Sequence, residues 1–327
     1  MKRYLIRRIL SGIFVLWLVT TLVFLMLHAI PGDPAQVIAG ELADEKTVTE
    51  LRAKLGLDRP LYIQYGDLLR GVIRGDMDDS FNYKTNAVDI VLERLPSTIE
   101  LTLVAAVFAI PLAIFLGVVS AVKRNSFYDF IAKVVTLFGI STPSFWFGIM
   151  MILLFSVQWG LLPAMGQGPQ HLPEAVLTLI GGNSEPLVKW CQHIVMPVLT
   201  LSIFFTALIA RMTRTETLEN LGRGYVLTAK SKGLRNRSVI ARHVLPNSMI
   251  PIVTIAGIQV GDLLGGAILT EAVFVWPGMG QLLIDSVFSR DFPVIQVCIL
   301  VYVVIWVVIN FLIDLLYLLI DPRISLH

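Results

Sequence analysis

The residues able to do chemistry in this 327-residue chain are few and scattered. Asp262 and Asp314 are acids set inside long apolar runs, and Glu271 closes one of them. An ionisable group at membrane depth costs about 2.5–3.5 kcal/mol on insertion scales, so such acids face a wet cavity or a partner. Gly257, Gly261, Gly265 and Gly266 surround Asp262, leaving one face of its helix nearly bare backbone. That face suits a pore lining, or close packing against another helix. Asp314 reads as a structural pair. His28, His171, His193 and His243 lack ligand spacing, so no metal site is assigned. No Gly-x-x-x-x-Gly-Lys-Ser/Thr phosphate loop occurs, and no glycine is followed by lysine. His-Glu-x-x-His and Gly-x-Ser-x-Gly are also absent, which argues against an intramembrane hydrolase. Cys191 and Cys298 make neither a disulfide framework nor a zinc pattern and read as free apolar thiols.

The elements that must position these residues are membrane helices. The chain is 55% hydrophobic and only 15% charged, against about a quarter charged in soluble domains. A soluble enzyme is excluded on those grounds. The balance of 26 basic and 24 acidic residues gives no support to nucleic-acid binding. A bilayer core needs about 20 apolar residues as helix. Six stretches meet that: Ile9 to Gly32, Leu101 to Val122, a span from Val134 leaving near Trp159, Gly160 and Pro163, Trp190 to Ala210, Met249 to Thr270, and Phe292 to Ile320. Pro111, Pro143, Pro197 and Pro251 fall in or at the start of these spans, where packed membrane helices tolerate proline with a kink.

Short cytoplasmic loops keep Lys and Arg, which sets the orientation. Lys2, Arg3, Arg7 and Arg8 precede the first span, placing residues 1–32 as a cytoplasmic N-terminus and uncleaved first helix. Segment 33–97 holds twelve acidic and eight basic residues and belongs outside. Segment 211–248 holds eight basic residues against Glu216 and Glu219 and belongs inside, as do Lys123, Arg124 and Lys133. The chain therefore reads as an all-α polytopic protein: a cap at 33–97, a five-helix core at 98–320, and a cytoplasmic tail at 321–327.

Within the cap, Leu61, Tyr65, Leu68, Leu69 and Val72 repeat at helical spacing after Pro60, which predicts a helix there. Ser97-Thr98-Ile99-Glu100 reads as a capping box opening the second span. In the inner segment, Gly222 and Gly224 flank Arg223, and Tyr225 to Lys232 predicts two helical turns ended by Gly233 in the left-handed conformation. A second short helix, Arg235 to Val244, is expected to run into Pro246. Tyr225, Val226 and Ala229 are expected to form a small apolar face ringed by Arg223, Lys230 and Lys232. Composition alone fits a helix laid in a protein groove and a basic helix lying on anionic lipid.

Tyr225-x-x-Thr228-Ala229-x-x-Lys232-Gly233-Leu234, followed by Leu245-Pro246, resembles the cytoplasmic loop of binding-protein-dependent ABC importer permeases, in the peptide and nickel branch. Ala229, Gly233, Leu245 and Pro246 fit the wider family pattern. Leu227, Thr228 and His243 replace its Glu, first Ala and Ile. Pro31-Gly32-Asp33-Pro34, Leu55-Gly56-Leu57-Asp58, Thr270-Glu271 with Phe274 and Trp276-Pro277-Gly278, Asp291-Phe292-Pro293 and Asp321-Pro322-Arg323 resemble the B-type subunit in the same order. The resemblance implies a type I importer fold of six transmembrane helices. It implies a second, homologous permease, two cytoplasmic ATPases that carry ATP and Mg, and an external substrate-binding protein. Arg223 to Gly233 becomes the coupling helix that docks on an ATPase. Asp262 and Glu271 become candidates for the translocation path, with Glu271 near the outer mouth facing a substrate amine, the binding protein or solvent.

The implied cargo is a di- or oligopeptide, with glutathione and nickel chelates as alternatives. This chain is expected to hold no cofactor and no ATPase activity of its own. The competing class is a self-sufficient secondary carrier, which predicts paired inverted halves and several charged residues along its helices. Neither pattern is visible here.

Overall fold

The computed structural model describes residues 2–29, 32–40, 43–169 and 171–320. Pro31 and the Asp321-Pro322-Arg323 tail lie outside them. The order is α1 (Lys2–Ala29), α2 (Pro34–Ala39), α3 (Glu45–Lys54), α4 (Leu61–Arg74), α5 (Ala87–Val122), α6 (Phe127–Ser141), α7 (Ser144–Met151, continuing as a π-helix over Ile152–Gln158), α8 (Leu172–Ile180) and α9 (Glu185–Leu221). Then come α10 (Gly224–Ser231), α11 (Asn236–Val239, continuing as a π-helix over Ile240–Val244), α12 (Leu245–Phe274), α13 (Met279–Ser289) and α14 (Phe292–Ile320). Among the described residues the only β pairing is an isolated bridge between Asp79 and Asn86.

Among the described residues five helices are long and apolar enough to cross a membrane, within Ile6–Ala29, Ala87–Val122, Glu185–Leu221, Asn236–Phe274 and Phe292–Leu315. The span expected from Val134 is instead a broken pair: Phe127–Ser141 and Ser144–Gln158 meet at 106°. Pro143 causes the break. Its ring disfavours helix at the preceding residue, and Thr142 is extended at φ −94°, ψ 125°. Pro111, Pro197 and Pro251 lie inside continuous helices.

The chain divides into two units. One contains the residues up to Thr98 together with Pro277–Val307. In it, α4 lies on α1: His28 Nε2 meets Gln64 Oε1 at 3.1 Å, and Thr21 Oγ1 meets Tyr65 Oη at 2.7 Å. The amphipathic spacing after Pro60 is realised as α4, with Leu68 as its buried residue. Ala87, Val91, Met279, Leu282, Val294 and Val297 form this unit's main core. Asp291, fully buried, accepts hydrogen bonds from Ser80 Oγ and from the backbone N–H groups of Phe81 and Asn82, the latter two at 3.2 Å. It thereby fastens the turn between α4 and α5.

The other unit contains Ile99–Trp276 and the residues from Val308 onward. Helix α9 is its spine, packed by α6, α7, α8 and α12. Glycines allow the close crossings: a Cβ at Gly139 would sit 2.8 Å from Ala207 Cβ, and one at Gly117 2.6 Å from the Ala210 carbonyl oxygen. Leu101, Trp190, Ile194, Leu201, Phe205, Leu263 and Trp276 fill the core.

The capping-box expectation fails. Helix α5 starts at Ala87, so Ser97 and Glu100 are interior to it, and Glu100 has another task. Its carboxylate accepts from Gln167 Nε2 at 2.9 Å, His171 Nδ1 at 2.7 Å, the Leu172 backbone N–H at 3.0 Å and the Trp190 indole N–H. A four-residue pattern cannot reveal donors that arrive from 67 to 90 positions away.

Candidate coupling and translocation sites

The basic segment after α9 folds as a short helical protrusion. Arg223 is extended at φ −79°, ψ 149°, between Gly222 and Gly224, and turns the chain out of α9 into α10. After Ser231 the chain stops being helical, and Gly233 takes φ +75°, the left-handed conformation that carries little penalty only for glycine. Helix α11 then runs through the π-helical Ile240–Val244 directly into α12. Pro246 does not end a helix as expected. It sits in the first turn of α12, inside the continuous helical run Asn236–Phe274 and directly after its π-helical stretch.

Val226 and Ala229 are not a docking face. They are buried against Val239, Val244 and Leu221, a small core that fixes α10 on α11. Full burial of Val226, Val239 and Val244 contributes about 1.5–3 kcal/mol each, so the protrusion keeps one shape. The apolar surface left uncovered is instead Leu227 on α10, 60% exposed, with Leu234 just past the turn at 42%. Arg223, Tyr225, Thr228, Lys230, Lys232 and Gly233 are exposed around them, Leu245 is half-buried and Pro246 exposed. The sequence reading missed Leu227 and Leu234 because an eight-residue helix does not reveal which of two apolar faces a later segment will cover. The signal was Leu227 itself, an apolar residue where the family pattern has Glu.

The two candidate path acids part company. Asp262 is exposed, and Ile258, Gly265 and Leu269 share its stripe on α12 at i−4, i+3 and i+7. Two of the neighbouring glycines, Gly257 and Gly266, are packed within the chain, while a Cβ at Gly265 would meet nothing within 4 Å. A Cβ at Gly257 would sit 2.9 Å from Ile313, and one at Gly266 3.2 Å from Leu201. Glu271 is 0% exposed, a core residue rather than a solvated group at a mouth. It lies one helical turn before Val275, whose left-handed φ of 48° ends α12, and its carbonyl accepts the Trp276 N–H at 2.9 Å. Asp314 is half-buried. Among the described residues no group of three or more His, Cys, Asp or Glu side chains is placed to hold a metal ion. Cys191 is exposed and Cys298 buried, and no disulfide joins them.

Comparison with known proteins accounts for the whole length. The family described as "Binding-protein-dependent transport system inner membrane component" matches residues 100–326, and the corresponding N-terminal family matches residues 1–102. The chain is 40% identical over 332 residues to the dipeptide transport system permease protein DppB of Alkalihalophilus pseudofirmus, covering 99% of this chain and all of the relative. It is 39% identical over 324 residues to the glutathione transport system permease protein GsiC of Escherichia coli K12, covering 99% of each. Among solved structures, the inward-facing MetNI methionine ABC transporter matches with a TM-score of 0.56 at 18% identity, over 71% of this chain and 96% of that one, a likeness of fold. The long apolar helices, the short basic protrusion between α9 and α12 and these full-length matches agree: the chain belongs to the family of binding-protein-dependent transport system inner membrane components.

Proposed function

We propose that this chain is one of two permeases forming the translocation path of an ATP-driven importer of di- and oligopeptides. Both termini lie in the cytoplasm of a prokaryotic cell, two ATPases bind beneath, and an external binding protein delivers cargo. The observation that carries the reading is the protrusion itself: a rigid elbow with Leu227 and Leu234 outward and Lys230 and Lys232 beside them. An elbow of that kind fits a groove in a partner protein. ATP and Mg belong to the partner subunits, since this sequence has no phosphate loop. Alternating access then needs two arrangements of the helices, each favoured by a different nucleotide state and biased through the elbow.

The peptide assignment rests on the 40% identity to the dipeptide permease, and the 39% identity to the glutathione permease makes that tripeptide the second reading. Deleting this chain in its host, with the other subunits intact, should abolish uptake of a labelled dipeptide and leave glutathione uptake in place. Loss of glutathione uptake alone would reverse the order of the two readings.

A further inference from the structure

The covalent joint between α9 and α10 is Gly222-Arg223-Gly224, a bend that its own residues hold weakly. Neither glycine has a neighbour that a side chain would press, apart from the Glu219 carbonyl 3.5 Å from a Cβ at Gly222. The Arg223–Glu219 ion pair, at 2.6 Å, joins two groups more than half exposed, and water screens it. A cavity of about 300 Å³ borders the bend, lined by Glu216, Asn220, Arg223, Tyr225 and Asn247 among others, so packing does not close it from that side.

One buried side chain spans the joint. Tyr225 Oη, on α10, donates to Asn220 Oδ1 at 2.8 Å. The Asn220 amide Nδ2 donates to the Glu216 carbonyl of α9 at 3.0 Å and to Ser248 Oγ of α12 at 3.1 Å. Ser248 Oγ donates onward to the Val244 carbonyl at 3.0 Å. Asn220 is 6% exposed and Ser248 0%, so the Asn220–Ser248 bond acts where water competes little. Three of the four hydrogen-bonding positions of the Asn220 amide are used, one on each of the three elements that meet there.

The apolar contacts of Val226 and Ala229 hold α10 on α11 by burial, which is non-directional. Hydrogen bonds are directional. We propose that Asn220 is a positioning residue for the transport cycle, locking α10 to α9 and α12 so that a displacement of the elbow moves both long helices together. The inference rests on α10 being the element that meets the ATPase.

The test uses the complete complex in lipid vesicles, measuring cargo taken up per ATP hydrolysed. Asn220→Leu keeps the shape and removes every side-chain bond. The ATPase subunits should still co-purify with an unchanged KM for ATP, while uptake per ATP falls about tenfold, within the range of energetic coupling between sites. Tyr225→Phe should lower the same ratio, and the double variant should fall no further than Asn220→Leu alone. Should Asn220→Leu fail to reach the membrane, Ser248→Ala cuts one arm only and should give a partial fall. A wild-type ratio in the variant that folds, additive losses in the double variant, or loss of the ATPases from Asn220→Leu complexes would each overturn the proposal. Leu227→Asp separates the underlying reading: ATPases that stay bound to that variant would sink the docking assignment, independently of Asn220.

Discussion

Asp129, in the first turn of α6, meets Arg214 of α9 at 3.1 Å across 85 residues of sequence. The Asp129 side chain is 1% exposed and also accepts from Ser120 Oγ at 2.6 Å, the Asn125 backbone N–H at 3.0 Å and Lys133 Nζ at 2.9 Å. This carboxylate ties α5, the following turn and α6 to the spine helix. Removing one partner of a buried pair leaves the other charge uncompensated, at about 3–5 kcal/mol. Arg214 is 24% exposed, which places Asp129→Ala at about 3 kcal/mol, the lower end of that range. Asp129→Asn keeps part of the hydrogen bonding and should cost less. Thermal unfolding of the detergent-solubilised protein measures both, and an unchanged melting temperature for Asp129→Ala would contradict the assignment.

Glu100 predicts a local effect. Its carboxylate collects donors from Gln167, His171 and Leu172, in the connection leading into α8, and from Trp190 of α9. Glu100→Gln preserves volume and cannot accept all of them, leaving buried donors unmet at about 1–3 kcal/mol each. Hydrogen exchange should quicken over 167–180 and remain slow in α9. A uniform rise along the whole chain would show instead that Glu100 governs global stability.

Gly233 predicts a backbone effect with no clash. A Cβ there meets nothing within 4 Å, so a substitution costs only the left-handed φ, about 1–2 kcal/mol for an L-residue. Gly233→Val should reach the membrane at normal abundance and lose uptake because the elbow is re-aimed. Gly233→Asn, which tolerates that conformation better, should retain more. Undiminished uptake in Gly233→Val, measured with a labelled peptide, would reject a coupling role for this turn.

Asp262 and Glu271 should separate by readout. Asp262→Asn removes an exposed charge, so the melting temperature should hold while uptake of cationic peptides falls relative to neutral ones. Glu271→Ala hollows a fully buried site and should lower the melting temperature for every cargo alike. A selective cargo effect at Glu271 with full stability would return it to the path.

The sequence by itself determined that the chain is helical and membrane-spanning, where most spans lie, and that a basic two-turn helix ends at a left-handed Gly233. These are local properties: hydropathy is a sum over about 20 residues, and Gly233 and the turn at Arg223 are set by their own backbone preferences. Family motifs added order to those elements but no contacts. Only the tertiary structure decided which side of α10 faces outward, because Val239 and Val244, contributed after the turn, cover Val226 and Ala229 and leave Leu227 and Leu234 uncovered. The same holds for Glu100, Asp129 and Asn220. Each is an ordinary polar residue until donors or acceptors from distant helices converge on it, and a buried polar group is defined by partners that no local window contains.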